Sequence, residues 1–507
     1  MTPARKPYLI SGINVEFPVN AYPSQIKVME KILKCLNSST HGLIESPTGS
    51  GKSLALLCST LAWQKHNSSS KADETEDVAK TGSSSEENDS EPTMIFYCTR
   101  THKQIKQIVT ELEKTAYSQT RMTILSSREH SCLETPKDET RDEMCRRLRD
   151  PNLPGACSYY NTFTRTIKKH PFLPVHLRIP DKTPWDIEDL AEFCKAKTLC
   201  PYFLSREYLK DCELVFCPYN YILDEKIRES IGVKLNNQIL IFDEAHNIED
   251  VCRDAASALF EHEKLEDVKE ELNEFINRYL NKENQFALQV SHHLITQCIK
   301  ICEEFTSELV ARRNEEAVNV AEAQVVIRHL DHNGINDLTL KQLKSKLFSL
   351  TTKDDSEFKD EYVPTLPEFV VKTIEVLINV LMLMIRHHIH YKVIFRKIVS
   401  KKTNFRHDQR RFYNNRNMAI FSESTSVHFC CLNPSITFEP IASAAHSIIL
   451  ASGTLSPIAT LSSELGCVFK ETLEAPHVID SSQVLQFTIM NIIKHSLKNH
   501  IKIRRLL

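Results

Sequence analysis

"LIESPTGSGKSLALL", residues 43–57, is an apolar strand that runs into proline, threonine and two glycines and then restarts as an amphipathic run. Only 10 glycines occur in 507 residues, yet Gly49 and Gly51 stand two apart. Glycine tolerates positive φ, so backbone N–H groups there can turn inward around phosphate oxygens. The common phosphate-loop pattern is G-x-x-x-x-G-K-[ST]. Here the window is Ser46, Pro47, Thr48, Gly49, Ser50, Gly51, Lys52 and Ser53, with serine at the place of the first glycine. Lys52 is expected to reach the β- and γ-phosphates of ATP from a solvent-near position, and Ser53 to ligate Mg²⁺. The helix that follows, apolar at Leu54, Leu57, Cys58 and Leu61, aims its positive N-terminus at the anion.

Working outward, four apolar runs read as strands buried on both faces of a parallel sheet: 41–46, 94–99, 238–247 and 447–454, with a fifth at 213–222. Each ends in polar or small residues, where open α/β sheets place their ligands. In "LIFDEAHNIED", Asp243 closes an apolar strand and is suited to hold Mg²⁺ through water. Glu244 beside it is the candidate general base. His246 in the same tetrad reads as a link between the ATP site and motion.

Composition bounds the class. Hydrophobic content of 41%, charged content of 25% and a net charge of −3 describe a soluble globular chain. Bulk charge does not point to nucleic acid, so any basic surface is local. The N-terminus lacks an apolar core of signal-peptide length. The run "VLINVLMLMI" at 376–385 is half a membrane span and carries Asn379, which predicts a buried helix and no membrane association. Sixteen cysteines without a secretory signal point to a reducing compartment.

Five of those cysteines fall in residues 132–200. Cys132, Cys145, Cys157 and Cys200 are spaced by 13, 12 and 43 residues, with no C-x-x-C pair and a proline after the last. Spacing alone leaves open an iron–sulfur cluster, a zinc site and plain buried thiols. Cys194 is a rival fourth ligand without the following proline. Residues 66–92 are polar and acidic and read as a disordered loop, and 251–440 as a helical insertion.

Asp-Glu-Ala-His after a phosphate loop resembles superfamily 2 helicases. "AYPSQ" places Gln25 like the glutamine that reads adenine, and "YCTRTHKQIKQI" resembles the strand-end motif that grips a nucleic-acid backbone through Thr99, Arg100 and Thr101. "ASGTLSP" resembles the segment coupling ATP state to DNA grip, carried by Ser452, Gly453 and Thr454. With the four-cysteine insertion, "CPYNYILDEKIRES" and "CLNPSITF", the chain resembles the iron–sulfur helicases of the xeroderma pigmentosum group D type over about residues 8–484.

The resemblance implies an α/β fold with one RecA-like parallel sheet, a cysteine-rich iron–sulfur insertion and a helical arch insertion. It divides the chain into 1–131 (first part of the RecA-like domain, disordered loop 66–92 included), 132–200 (cluster insertion), 201–250 (Asp-Glu-Ala-His part), 251–440 (arch), 441–484 (last part of the RecA-like domain) and 485–507, a divergent basic tail, with no second RecA-like domain. It also implies that Cys132, Cys145, Cys157 and Cys200 hold a [4Fe–4S] cluster. The implied activity is ATP-driven 5′-to-3′ unwinding in the nucleus, with single-stranded and forked DNA as substrate. The implied setting is interstrand crosslink repair and removal of stacked guanine structures. Breast-cancer susceptibility protein 1 and mismatch-repair proteins are the implied partners. Two other classes fit parts of the pattern: a fragment that binds ATP and single strands with little turnover, and an RNA helicase or chromatin ATPase, which lacks the four-cysteine insertion.

Overall fold

The apolar runs expected as strands all enter one parallel sheet in the computed structural model. It describes residues 6–79, 93–137, 139–149, 155–169, 179, 183–281, 284–310, 316–347, 366–402, 420–455 and 457–475. A hairpin of β1 (Lys6–Ile10) and β2 (Ile13–Phe17) leads in. The sheet then takes β3 (His41–Glu45), β4 (Ile95–Thr99), β5 (Met122–Ile124), β6 (Leu214–Pro218) and β7 (Ile239–Asp243). The chain leaves it for β8 (Ala258–Glu261), β9 (Ala317–Glu322), β10 (Tyr391–Lys402) and β11 (Ile420–Cys431), and returns with β12 (Ser447–Ser452) and β13 (Phe469–Glu474).

The seven-stranded order is β13-β3-β12-β7-β4-β6-β5, with every pairing parallel. Successive side chains point to opposite faces. Ile44, Tyr97, Phe216 and Ile241 fill one core, while Leu43, Phe96, Val215 and Phe242 fill the other. Burial on both faces is why these strands read as unbroken apolar runs. The register sets Ser452 beside Glu45 and Ala451 beside Asp243, so the functional residues emerge along one edge of the sheet.

Three expectations need correction. The helix Lys52–Ala79 runs through the first half of the segment read as disordered, and residues 80–92 lie outside the described residues. Its first turns are buried nearly all round (Ala55, Leu56, Leu57 and Cys58), so the nucleus is anchored and later residues add to it at little cost. The arch is also not purely helical. Its helices, among them His262–Tyr279, Gln285–Val310 and Glu368–Arg386, lie on an antiparallel sheet ordered β8-β11-β10-β9, and share a core with Val393, Phe395 and Phe429. Within 251–440, part of the helix Ser435–Ala444 packs on the parallel sheet, where Phe438 meets Phe242 at a ring separation of 6.5 Å. The run 376–385 is a buried helix as expected, and no described helix is long and apolar enough to cross a membrane. The tail 485–507 lies outside the described residues.

Candidate active site

The phosphate loop leaves β3 at Glu45 and delivers its lysine as the first residue of the next helix. Gly49 and Gly51 have φ of 78° and 71°, the left-handed region that a residue with a Cβ enters at a cost. The loop is braced from within by a 2.8 Å contact between the Ser46 and Ser50 hydroxyls. From outside, Ser46 N donates to Ser452 O at 2.9 Å. Gly453 carries no side chain where a Cβ would stand 3.3 Å from Thr48 Cγ2, so the β12 segment can pack directly on the loop.

Lys52 is only 6% exposed, which corrects the solvent-near expectation. Two carboxylates accept its charge: Nζ lies 2.8 Å from Glu244 Oε1 and 3.2 Å from Asp243 Oδ1. Asp243 in turn accepts from Ser53 Oγ at 2.8 Å and from Tyr97 OH at 2.8 Å. The Tyr219 hydroxyl donates to the Asp243 carbonyl. Burial, with the Asp243 charge adding to it, pushes the Tyr97 phenol well up, so it acts as a fixed neutral donor. Neither tyrosine was singled out from the sequence. Each sits in an apolar strand or just after one, and its partner is more than 20 residues away.

Glu244 follows in a left-handed turn with φ of 63°. Burial opposes its ionisation, but Lys52 first, then Ser452 and His246, hold its carboxyl below the ordinary value of 4.5. Ser452 Oγ donates to Glu244 Oε2 at 3.3 Å and lies 3.1 Å from His246 Nδ1. Thr454 N reaches Ser452 Oγ at 3.5 Å. Lys52, Ser53, Asp243, Glu244, His246 and Ser452 therefore form one connected set.

A cleft of about 590 Å³, a size typical of small-ligand sites, is lined by Thr48, Gly49, Lys52, Thr99 and Glu244 among others, whereas Gln25, Arg100 and Thr101 are not part of its lining. Gln25 is buried and its amide is engaged. Oε1 accepts from Tyr22 N at 2.8 Å as part of a helix cap, and Nε2 donates to Gly51 O at 3.4 Å. Thr99 Oγ1 donates to Thr101 O at 3.0 Å, and Thr101 caps the helix His102–Glu113. Arg100 is exposed. With the Asn247 amide oriented to satisfy both neighbours, its oxygen accepts from Arg100 Nη1 at 2.7 Å. Arg100 thus joins the end of β4 to the Asp-Glu-Ala-His turn.

In the insertion, Cys132 follows a helical turn and Cys145 lies within the helix Arg141–Leu148. Cys157 and Cys200 directly precede the helices Ser158–Lys169 and Pro201–Tyr208. Burial raises the Cys132 and Cys157 thiols, and pushes Cys200 up to about 12. Repulsion from Cys145 and Cys157 reaches both Cys132 and Cys200, so the four thiols share one neighbourhood. Backbone N–H groups at helix starts oppose the rise: Tyr160 N lies 3.5 Å from Cys157 Sγ, and Tyr202 and Phe203 donate toward Cys200. Donors aimed at sulfur favour thiolate at Cys132, Cys157 and Cys200, but among the described residues no three of the four sulfurs lie within 4.8 Å of one another. Cys194 is fully buried in the apolar core and interacts with Cys200 alone of these four.

The DEAD_2 family matches residues 97–265. The Fanconi anemia group J protein homolog of Gallus gallus is 27% identical over 95% of this chain and 52% of its own length. The regulator of telomere elongation helicase 1 homolog of Arabidopsis thaliana is 31% identical over 94% of this chain and 46% of its own length. A solved XPD helicase covers 89% of this chain and 61% of that one, at 16% identity and a TM-score of 0.46. The chain spans about half the length of the curated relatives it matches.

Proposed function

We propose, from the premise that this chain belongs to the superfamily 2 helicases of the xeroderma pigmentosum group D type, that it couples ATP hydrolysis to 5′-to-3′ movement on DNA in the nucleus. The connected set from Lys52 to Ser452 at the strand ends carries this reading. Lys52 exchanges its two carboxylates for the β- and γ-phosphates. Ser53 and Asp243 would hold Mg²⁺, which neutralises phosphate charge when bound. Glu244 is already ionised and becomes free to take a proton from water once Lys52 turns to the nucleotide. Ser452 and His246 sense that exchange through Glu244. Arg100 and Asn247 carry it to the strand end where Thr99, Arg100 and Thr101 meet a DNA backbone. Gln25 reads adenine after releasing Gly51 O.

Cys132, Cys145, Cys157 and Cys200 would hold a [4Fe–4S] cluster, which supplies iron–thiolate bonds that cross-link the insertion. The pathway we propose is interstrand crosslink repair and the removal of folded DNA, with breast-cancer susceptibility protein 1 and mismatch-repair proteins as partners.

The test is single-turnover ATP hydrolysis with and without single-stranded DNA, together with unwinding of forks carrying a 5′ or a 3′ tail. DNA-stimulated hydrolysis and unwinding from the 5′ tail are expected. ATP and DNA binding without stimulated turnover would favour the binding-only alternative.

A further inference from the structure

The arch holds a second donor cluster, far in sequence from the cysteines and without sulfur. His262 is the first residue of its helix, directly after β8. Glu266 lies one turn further on the same face. Glu303 comes from the neighbouring helix Gln285–Val310, which runs back along the first. One ligand atom from each of the three lies within 4.8 Å of the others.

Charge and hydrogen bonding leave this cluster incomplete. His262 Nδ1 is buried with no hydrogen-bond partner. Of the two carboxylates, Glu266 is held by Lys269 Nζ at 2.9 Å, whereas Glu303 makes no ion pair among the described residues. Two like charges on facing helices repel, and one lysine offsets only part of that. The imidazole nitrogen is orphaned and the exposed Glu303 carboxylate is open to solvent beside it; a divalent cation would take both.

We infer that His262, Glu266 and Glu303 form a binding site for a divalent transition metal of the zinc type. An imidazole with two carboxylates suits zinc and its neighbours better than magnesium or calcium, which prefer oxygen alone. Tetrahedral zinc with bonds of about 2.1 Å sets its donor atoms about 3.4 Å apart. The three side chains therefore need to close by at most about 1.4 Å, within the reach of rotamer adjustment. The bound metal pins the start of the helix that follows β8 to the later turns of its neighbour. Three protein donors leave a fourth position for water.

Zinc binding by equilibrium dialysis and metal analysis tests this on the full chain, beside His262→Asn, Glu303→Gln and the control Glu274→Gln. Cobalt is the spectroscopic probe, because the thiols of the other insertion give sulfur-to-cobalt charge-transfer bands and this site does not. Wild type and the control are expected to bind one equivalent more than either site variant, or to bind it at least ten-fold more tightly. Cobalt in that equivalent should show ligand-field bands without the sulfur band. Zinc should raise the thermal midpoint of wild type more than that of Glu303→Gln. Equal stoichiometry and affinity across all four proteins overturns the site, as does a wild type whose only bound cobalt carries sulfur bands.

Discussion

The nucleotide cleft and the cysteine insertion are built on opposite plans. In the cleft, side chains from separate segments already touch: Lys52 to Glu244 at 2.8 Å, Ser53 to Asp243 at 2.8 Å, Ser452 to Glu244 at 3.3 Å. In the insertion, no hydrogen bond joins the four thiols among the described residues. They are positioned instead by helix starts, by Arg141 Nη1 donating to Cys132 O at 2.9 Å, and by Arg128, which stacks over Tyr202 at 4.0 Å and pairs with Asp142 at 2.9 Å. The cleft inherits its geometry from parallel strands buried on both faces. The described residues of the insertion form short helices and no strand, so no sheet fixes their positions.

If that contrast is right, disrupting the cleft should cost chemistry and disrupting the insertion should cost structure. Lys52→Ala should reduce single-turnover hydrolysis by at least about 10²-fold, the scale for losing one preorganised charge at a reacting centre. Near-normal hydrolysis would break the comparison on the cleft side. Cys200→Ser should lose most bound iron and lower the thermal midpoint while ATP affinity stays within about two-fold, and Cys194→Ser should keep its iron. Iron analysis and nucleotide titration read both arms; iron lost only from Cys194→Ser would reassign the ligands.

Smaller effects sharpen the picture. Tyr97→Phe removes a buried hydrogen bond to a carboxylate, worth about 1.5 kcal/mol at the low end, so Mg-ATP affinity should fall about ten-fold with the fold unchanged. Gln25→Ala should relax the preference for ATP over GTP by a few-fold; an unchanged ratio would leave Gln25 as a helix cap alone. The smallest effect is on the pH profile. In the nucleotide-free enzyme Lys52 holds the Glu244 carboxyl below 4.5, so their pair is lost only as pH falls through that lowered value. Once Lys52 turns to the nucleotide, burial works against the Glu244 charge, so the acid limb of ATP hydrolysis should lie at higher pH than the loss of the pair.

What could be read from the sequence follows the same division. The phosphate loop, the Asp243–Glu244 pair and Ser452 were legible because each ends an apolar run, and a parallel sheet lines up such ends. Tyr97 and Tyr219 were not, since their bonds to Asp243 cross between strands that are distant in sequence. Burial of Lys52 was hidden for a related reason: it depends on two carboxylates about 190 residues later. The arch sheet escaped because its alternation is broken. Tyr391, Val393 and Phe395 face inward on β10, but the next inward residue is Lys397, fully buried and paired with Glu423 at 3.1 Å. A lysine at a core position erases the period-two signal that marks a strand.

The central claim is that the cleft at the strand ends hydrolyses ATP with Glu244 as its base. Glu244→Gln keeps the shape of the side chain and its contacts with Lys52 and Ser452 but cannot accept the proton. In single-turnover experiments with radiolabelled ATP, Mg²⁺ and single-stranded DNA, this variant should bind ATP within about three-fold of wild type and hydrolyse it at least about 10²-fold more slowly. Hydrolysis at the wild-type rate by Glu244→Gln would contradict the account.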